Sequence, residues 1–206
     1  MSARTVATAA AAVAAAAALR FVLRRLYVIR TNFVTLNDGT AISVREARPG
    51  PDSHTLFRFV ELLADHLDER HALHNTLEAF SRDFAAGRFE ALLVERWSGK
   101  TGVDAASEVV ASAIFYEAYS TWDGPYIFLE DIYVLPSMRG KGVGTYLFRE
   151  LALRSAARGH RRLQWEALVA NKAACGYYGD VIQAARKDEI VMWRLEESGI
   201  RRLCAP

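Results

Sequence analysis

Two cysteines in 206 residues, Cys175 and Cys204, cannot build a disulfide framework. Neither they nor the five histidines (His54, His66, His71, His74 and His160) stand at the spacing of a zinc site, and no HExxH occurs. His66, His71 and His74 lie close together and read as ordinary surface or core histidines, so no metal is expected. The formal net charge is only +2, which argues against a dedicated nucleic-acid binder. Long apolar runs are also missing. The stretch from Val6 to Leu19 is shorter than the ~20 residues that span a bilayer. Extending it to Ile29 brings in Arg20, Arg24 and Arg25, which are costly at a bilayer centre, so membrane association of this segment is not favoured.

Acidic residues are absent from residues 1–36, which hold five of the 26 basic ones. The remaining body carries 21 basic against 24 acidic residues and weakly favours a cationic small substrate. The Ala-rich, Arg-containing, acid-free N-terminus fits a mitochondrial-type transit peptide better than a secretory signal. An extension without an address is the alternative, so the expected compartment is mitochondrial or cytoplasmic. Residues 1–36 are set aside as an extension, and residues 37–206 are read as one domain. With 51% hydrophobic and 24% charged residues, the chain has a globular composition.

Hydrophobic periodicity predicts a mixed α/β sheet. A short strand is expected from Ala41 to Arg45 and a helix through Leu56, Phe59, Leu63 and Leu67. A second helix runs from Thr76 to Ala85, with Thr76 as its cap. Strands follow at Ala91–Trp97, Val109–Tyr119 and Tyr126–Leu135, the last two joined by the Asp123-Gly124-Pro125 turn, and residues 98–104 form a turn between the first two. A helix is expected from Val143 to Arg158, a strand from Arg162 to Val169, a short helix from Ala170 to Tyr178, and a final strand from Glu189 to Leu195.

Two common phosphate loops are absent. There is no G-x-x-x-x-G-K-[ST], and the glycines at 140, 142 and 144 do not have G-x-G-x-x-G spacing. The physics those loops share is nevertheless present. Glycines allow close backbone approach, successive N–H groups form an anion nest, and the following helix adds its dipole. Arg139 and Lys141 add charge.

Arg139-Gly140-Lys141-Gly142-Val143-Gly144 resembles the R/Q-x-x-G-x-G/A loop of the GNAT superfamily of N-acetyltransferases. Two further runs, Ser120-Thr121-Trp122-Asp123-Gly124 and Leu129-Glu130-Asp131-Ile132-Tyr133-Val134-Leu135-Pro136, are similar to diamine (spermidine/spermine) acetyltransferases and their thialysine-acetylating relatives. The resemblance covers roughly residues 41–196 and is strongest over 120–145. It implies a central mixed, twisted sheet flanked by helices, with strands splayed around acetyl-CoA. It places the pyrophosphate on the loop from Arg139 to Val143, with Gly144 and Thr145 in the helical turn beyond. The pantetheine arm would lie along Ile132, Tyr133 and Val134, where a splayed strand offers its backbone as to a neighbouring strand.

Acetyl transfer to an amine needs a lost ammonium proton, a polarised thioester carbonyl and a protonated leaving thiolate. Glu130 and Asp131 are adjacent on one strand. Alternation sends them to opposite faces unless a bulge re-aims them. The resemblance assigns Glu130 to proton removal and Asp131 to the amine site. Tyr178, with a reference pKa of about 10, can keep its proton and serve as the acid. Asn171-Lys172-Ala173-Ala174-Cys175-Gly176-Tyr177-Tyr178 resembles the family stretch that ends in the acidic tyrosine, with Asn171 on the CoA arm. The acidic cluster Asp65, Asp68 and Glu69 and the aromatic Trp122 are the remaining acceptor-side candidates. Two positions depart from the family. Basic residues are missing directly after Tyr178, and Glu46 stands where arginine is common; both departures point to altered substrate or cofactor affinity. The favoured reading is acetylation of a small primary amine, a polyamine or lysine-like molecule, by a chain expected to form a homodimer. Acetylation of a protein or peptide amine, or CoA binding without turnover, are the alternatives.

Overall fold

The computed structural model describes residues 33–98 and 106–204. Most of the N-terminal extension and nearly all of the turn at 98–104 lie outside the described residues. Two compact units divide the chain, one ending at Glu166 and one beginning at Ala167.

The first unit is built on a six-stranded sheet in the order β1 to β6. Its strands are β1 (Phe33–Thr35), β2 (Ala41–Glu46), β3 (Glu90–Ser98), β4 (Ala106–Ser120), β5 (Gly124–Val134) and β6 (Leu163–Trp165). Neighbours run antiparallel except β5 and β6, which are parallel. Helices α1 (Ser53–His66) and α2 (Leu77–Ala85) connect β2 to β3, and α3 (Val143–Ala157) connects β5 to β6. Thr76 caps α2 as expected, its hydroxyl accepting from the Ala79 N–H at 3.2 Å. Asp52 fixes the start of α1 to β2, taking both Arg45 Nη groups and the Arg48 N–H.

Leu92, Leu93 and Val94 are all fully buried, so both faces of the sheet are covered. On one face Leu56, Phe80 and Phe84 of α1 and α2 pack on Ala91, Leu93 and Ile114. The alternate residues Leu92, Phe115 and Leu129 turn the other way, towards α3 with its buried Leu147 and Leu151.

That second face explains Glu46. It pairs in register with Leu92, and Glu90 pairs with Phe115, so both carboxylates face α3. Arg154 Nη1 donates to Glu46 at 2.5 Å, and Arg158 Nη2 donates to Glu90 at 2.6 Å. Arg154 and Arg158 are one helical turn apart and their side chains are only 10% and 12% exposed. Glu46 is therefore a structural partner of α3. Glu46→Ala strands the Arg154 guanidinium, whose Nε already lacks a partner. Because Glu46 keeps some exposure, the expected cost is about 2 kcal/mol, below that of a fully buried pair. Thermal unfolding should show a fall of roughly 4–8 °C that Arg154→Met partly restores in the double variant. An unchanged midpoint would show that the pair holds nothing.

The second unit holds α4 (Lys172–Gly176), a π-helical turn (Tyr177–Val181) and α5 (Glu197–Cys204). The strand expected from Glu189 to Leu195 is not formed. Its alternation records strand propensity, but a strand exists only where a ladder partner accepts it. Here Ile190, Val191, Met192 and Trp193 are exposed, Trp193 at 90%. The strand expected from Arg162 to Val169 shortens to three residues, and α5 and β1 were not anticipated. Among the described residues no helix is long and apolar enough to cross a membrane.

Candidate active site

β5 meets β6 over only Ile127, Phe128 and Leu129. From Glu130 to Val134 it continues with β4 alone, so among the described residues its other edge has no ladder partner. The strand register breaks at the same place. Ile114 faces Asp131 and Phe115 faces Leu129, which leaves Glu130 as the extra residue of a bulge. The bulge changes the facing of the chain. Before it Leu129 is buried on the α3 side, and after it Asp131, opposite Ile114, belongs to the α1 side. Tyr133 follows on that side, edge-on to Phe59 and His66 of α1 at 6.1 and 6.0 Å between centroids.

Two neighbouring carboxylates thus sit at the point where β5 leaves β6. Asp131 retains some surface, yet its carboxyl is desolvated, and burial followed by the charge of Glu130 raises its pKa to about 6. Glu130 is exposed and accepts a hydrogen bond from the Tyr116 hydroxyl of β4. Tyr116 also lines an open cleft of about 270 Å³ with Arg88, Glu90 and Glu117. Sequence reasoning missed Tyr116; its signal was its place opposite Phe128, two residues before Glu130, in a hairpin whose turn was legible.

Beyond Val134 a 3₁₀ turn (Pro136–Met138) leads into the glycine loop. Gly140 and Gly142 have φ of 73° and 91°, and Gly142 precedes the first residue of α3. A Cβ at either would meet nothing within 4 Å, so backbone conformation and not crowding requires glycine. Two positive-φ glycines flank Lys141, the kind of turn in which successive N–H groups can form an anion nest, and Gly142 offers α3 no side-chain cap. Val143 is buried and can contribute only its backbone, whereas Thr145 is exposed in the first turn. Both basic residues of the loop are engaged with protein groups. Arg139 Nε donates to the Val134 carbonyl at 3.0 Å, with its guanidinium 5.3 Å from the Tyr133 ring centroid. Lys141 Nζ is 2.9 Å from Asp38 in the β1–β2 turn. The Thr40 side chain and Lys141 hold the Asp38 pKa down to about 2.

The acceptor-side candidates divide. Asp68 and Glu69 follow directly on His66, whose ring meets Tyr133, so α1 brings them to the α1 side of β5. Asp68 is exposed in a left-handed conformation, Glu69 lies 3.6 Å from His71, and Asp65 is tied to Arg70. Trp122, 93% exposed, sits at the hairpin tip. The six residue-to-residue steps from Gly124 to Glu130 span about 20 Å along the strand, so the fold does not bring Trp122 to the carboxylates.

In the second unit Asn171 caps α4, its Oδ1 accepting from the Ala174 N–H at 3.2 Å. That commits its carbonyl oxygen to the helix. Tyr178 lies in the π-helical turn, its ring 5.7 Å from that of Tyr177. Burial, then Tyr177 and Cys175, raise its pKa above the ordinary value of 10.0.

Residues 59–180 match the model of the Acetyltransferase (GNAT) family. A thialysine N-epsilon-acetyltransferase of Mus musculus is 33% identical over 136 residues, 66% of this chain and 79% of that protein. One from Caenorhabditis elegans is 28% identical over 158 residues, 74% and 91%. Among solved structures, an aminoglycoside N-acetyltransferase in complex with CoA superposes with a TM-score of 0.57 at 15% identity, over 76% of this chain and 95% of that one. A possible acetyltransferase from Clostridium difficile has a TM-score of 0.57 at 21% identity, over 75% and 97%. These likenesses show the fold. The glycine nest suits a pyrophosphate, and the unpaired edge of β5 suits an amide-bearing arm, so the residues present fit acetyl-CoA.

Proposed function

Since this chain belongs to the GNAT family and is an acetyl-CoA-dependent N-acetyltransferase, we propose that its acceptor is the primary amine of a small polyamine or lysine-like molecule. The observation that carries this reading is the β5 bulge. It sets two carboxylates side by side on one face of the sheet, a surface suited to an alkylammonium substrate. Thialysine acetyltransferases among the similar proteins support the same class.

In this reading the N–H groups of the Gly140–Thr145 loop and the α3 dipole hold the pyrophosphate, with Lys141 released from Asp38 to add its charge. Backbone groups of Ile132 and Tyr133 pair with the pantetheine arm, and Arg139 braces the Val134 end of the strand. Asn171 offers its amide nitrogen to the same arm. Acetyl-CoA supplies the activated acyl group. Glu130 takes the proton that the acceptor ammonium must lose, Asp131 draws the cation in, and Asp68 and Glu69 hold a distal charge. Tyr178 returns a proton to the departing thiolate.

The test is thiol release by the full chain from acetyl-CoA with spermidine, spermine, putrescine, thialysine, lysine and a histone-tail peptide. Turnover of a short aliphatic amine well above that of the peptide is expected. A preference for the peptide would reassign the acceptor to a protein amine.

A further inference from the structure

Tyr116 has no part in the chemistry described so far. It lies on β4 opposite Phe128, and the two rings stack at 5.3 Å with 25° between their planes. Stacking fixes the direction of the phenol. Phe128 and Glu130 are alternate residues of β5, and the bulge leaves Glu130 without a residue opposite it in β4. A bulged side chain loses the lateral neighbours that restrain an ordinary strand residue. The Tyr116 hydroxyl supplies that restraint by donating to the Glu130 carboxylate.

We infer that Tyr116 is a positioning residue of the acetyl transfer, holding the Glu130 carboxylate in the orientation that receives the amine's proton. This rests on the proposed role of Glu130. The proton passes from the ammonium nitrogen to a Glu130 oxygen, and Tyr116 keeps its own. Its surroundings ensure that. Burial, then the charge of Glu130, and further Tyr126 and Glu166, raise the Tyr116 pKa above 10.0, so the phenol is a donor throughout the working range. Asp131, the other group facing Glu130, is governed by its burial and by the Glu130 charge. The two carboxylates are thereby made unequal, one oriented by a donor and the other desolvated. Such inequality separates roles in paired-carboxylate sites.

Tyr116→Phe keeps the stacked ring and removes only the donor. With the panel amine turned over fastest, kcat should fall about tenfold, the scale of one hydrogen bond to a charged group. The KM for acetyl-CoA should be unchanged. In a Glu130→Gln background the same substitution should cost nothing more. A Tyr116→Phe protein with unaltered kcat would overturn the inference, and so would an equal loss in both backgrounds. If Glu130→Gln is itself fully active, or no amine is turned over, the proton-acceptor reading falls and this inference with it. If Glu130→Gln is impaired while Tyr116→Phe is silent, only the role of Tyr116 is lost.

Discussion

Tyr178→Phe should lower kcat by roughly two to three orders of magnitude while leaving the KM for acetyl-CoA within about twofold, the pattern of a lost general acid. The substitution keeps the ring and its neighbour Tyr177, so packing of the π-helical turn survives. What it removes is the phenol hydroxyl. Burial, Tyr177 and Cys175 all raise the pKa of this phenol, so it holds its proton at neutral pH. A donor that stays protonated suits a leaving thiolate, which becomes basic only as the thioester bond breaks. The same logic supplies a control. An acetyl donor whose thiol is more acidic than CoA leaves without help, so Tyr178→Phe should lose much less with it. Equal losses with both donors would move Tyr178 from acid chemistry to substrate placement. Unchanged turnover with acetyl-CoA would remove it from the mechanism altogether.

Much of the fold was legible because it rests on local signals. Thr76 capped the helix that its side chain predicts, and the helix after the glycine loop began at Val143 as expected. The hairpin from Val109 to Leu135 was visible as alternation around Asp123-Gly124-Pro125, although both strands begin earlier than their apolar runs suggest. What failed depends on pairing, which one segment cannot declare. Residues 189–195 carry the pattern of a strand and form none, while Phe33–Thr35 form one against β2. The structural partner of Glu46, Arg154, lies 108 residues away and could not be read from the sequence around it. The site divides in the same manner. The loop at 139–145 could be read from glycine spacing and charge. The facing of Glu130 and Asp131 could not, because alternation and bulge give opposite answers and only the register with β4 decides between them. Tyr116 was hidden for that reason.

Asp131→Asn should make the protein more stable and less active at neutral pH. The sign follows from the direction of the shift. Asp131 has a folded-state pKa of about 6, above its ordinary value of 3.8, because burial and the Glu130 charge oppose its ionisation. The folded chain therefore binds this proton more tightly than the unfolded chain does. Its stabilising contribution is full below about pH 4 and is lost as pH rises through about 6. Above that pH the native carboxylate is held at a cost of about 2–3 kcal/mol. Asparagine matches the shape and cannot ionise. Thermal unfolding near pH 7.5 should accordingly show a gain of roughly 4–8 °C that disappears near pH 4. A gain of equal size at both pH values would assign the effect to packing, and no gain would mean the carboxylate is solvated. Activity should move the other way, with a raised KM for the amine and little change for acetyl-CoA, since the charge removed is the one proposed to draw in the cation. A residue whose replacement improves stability only where the enzyme works, and impairs binding of one substrate only, is held in place by function against its own folding cost.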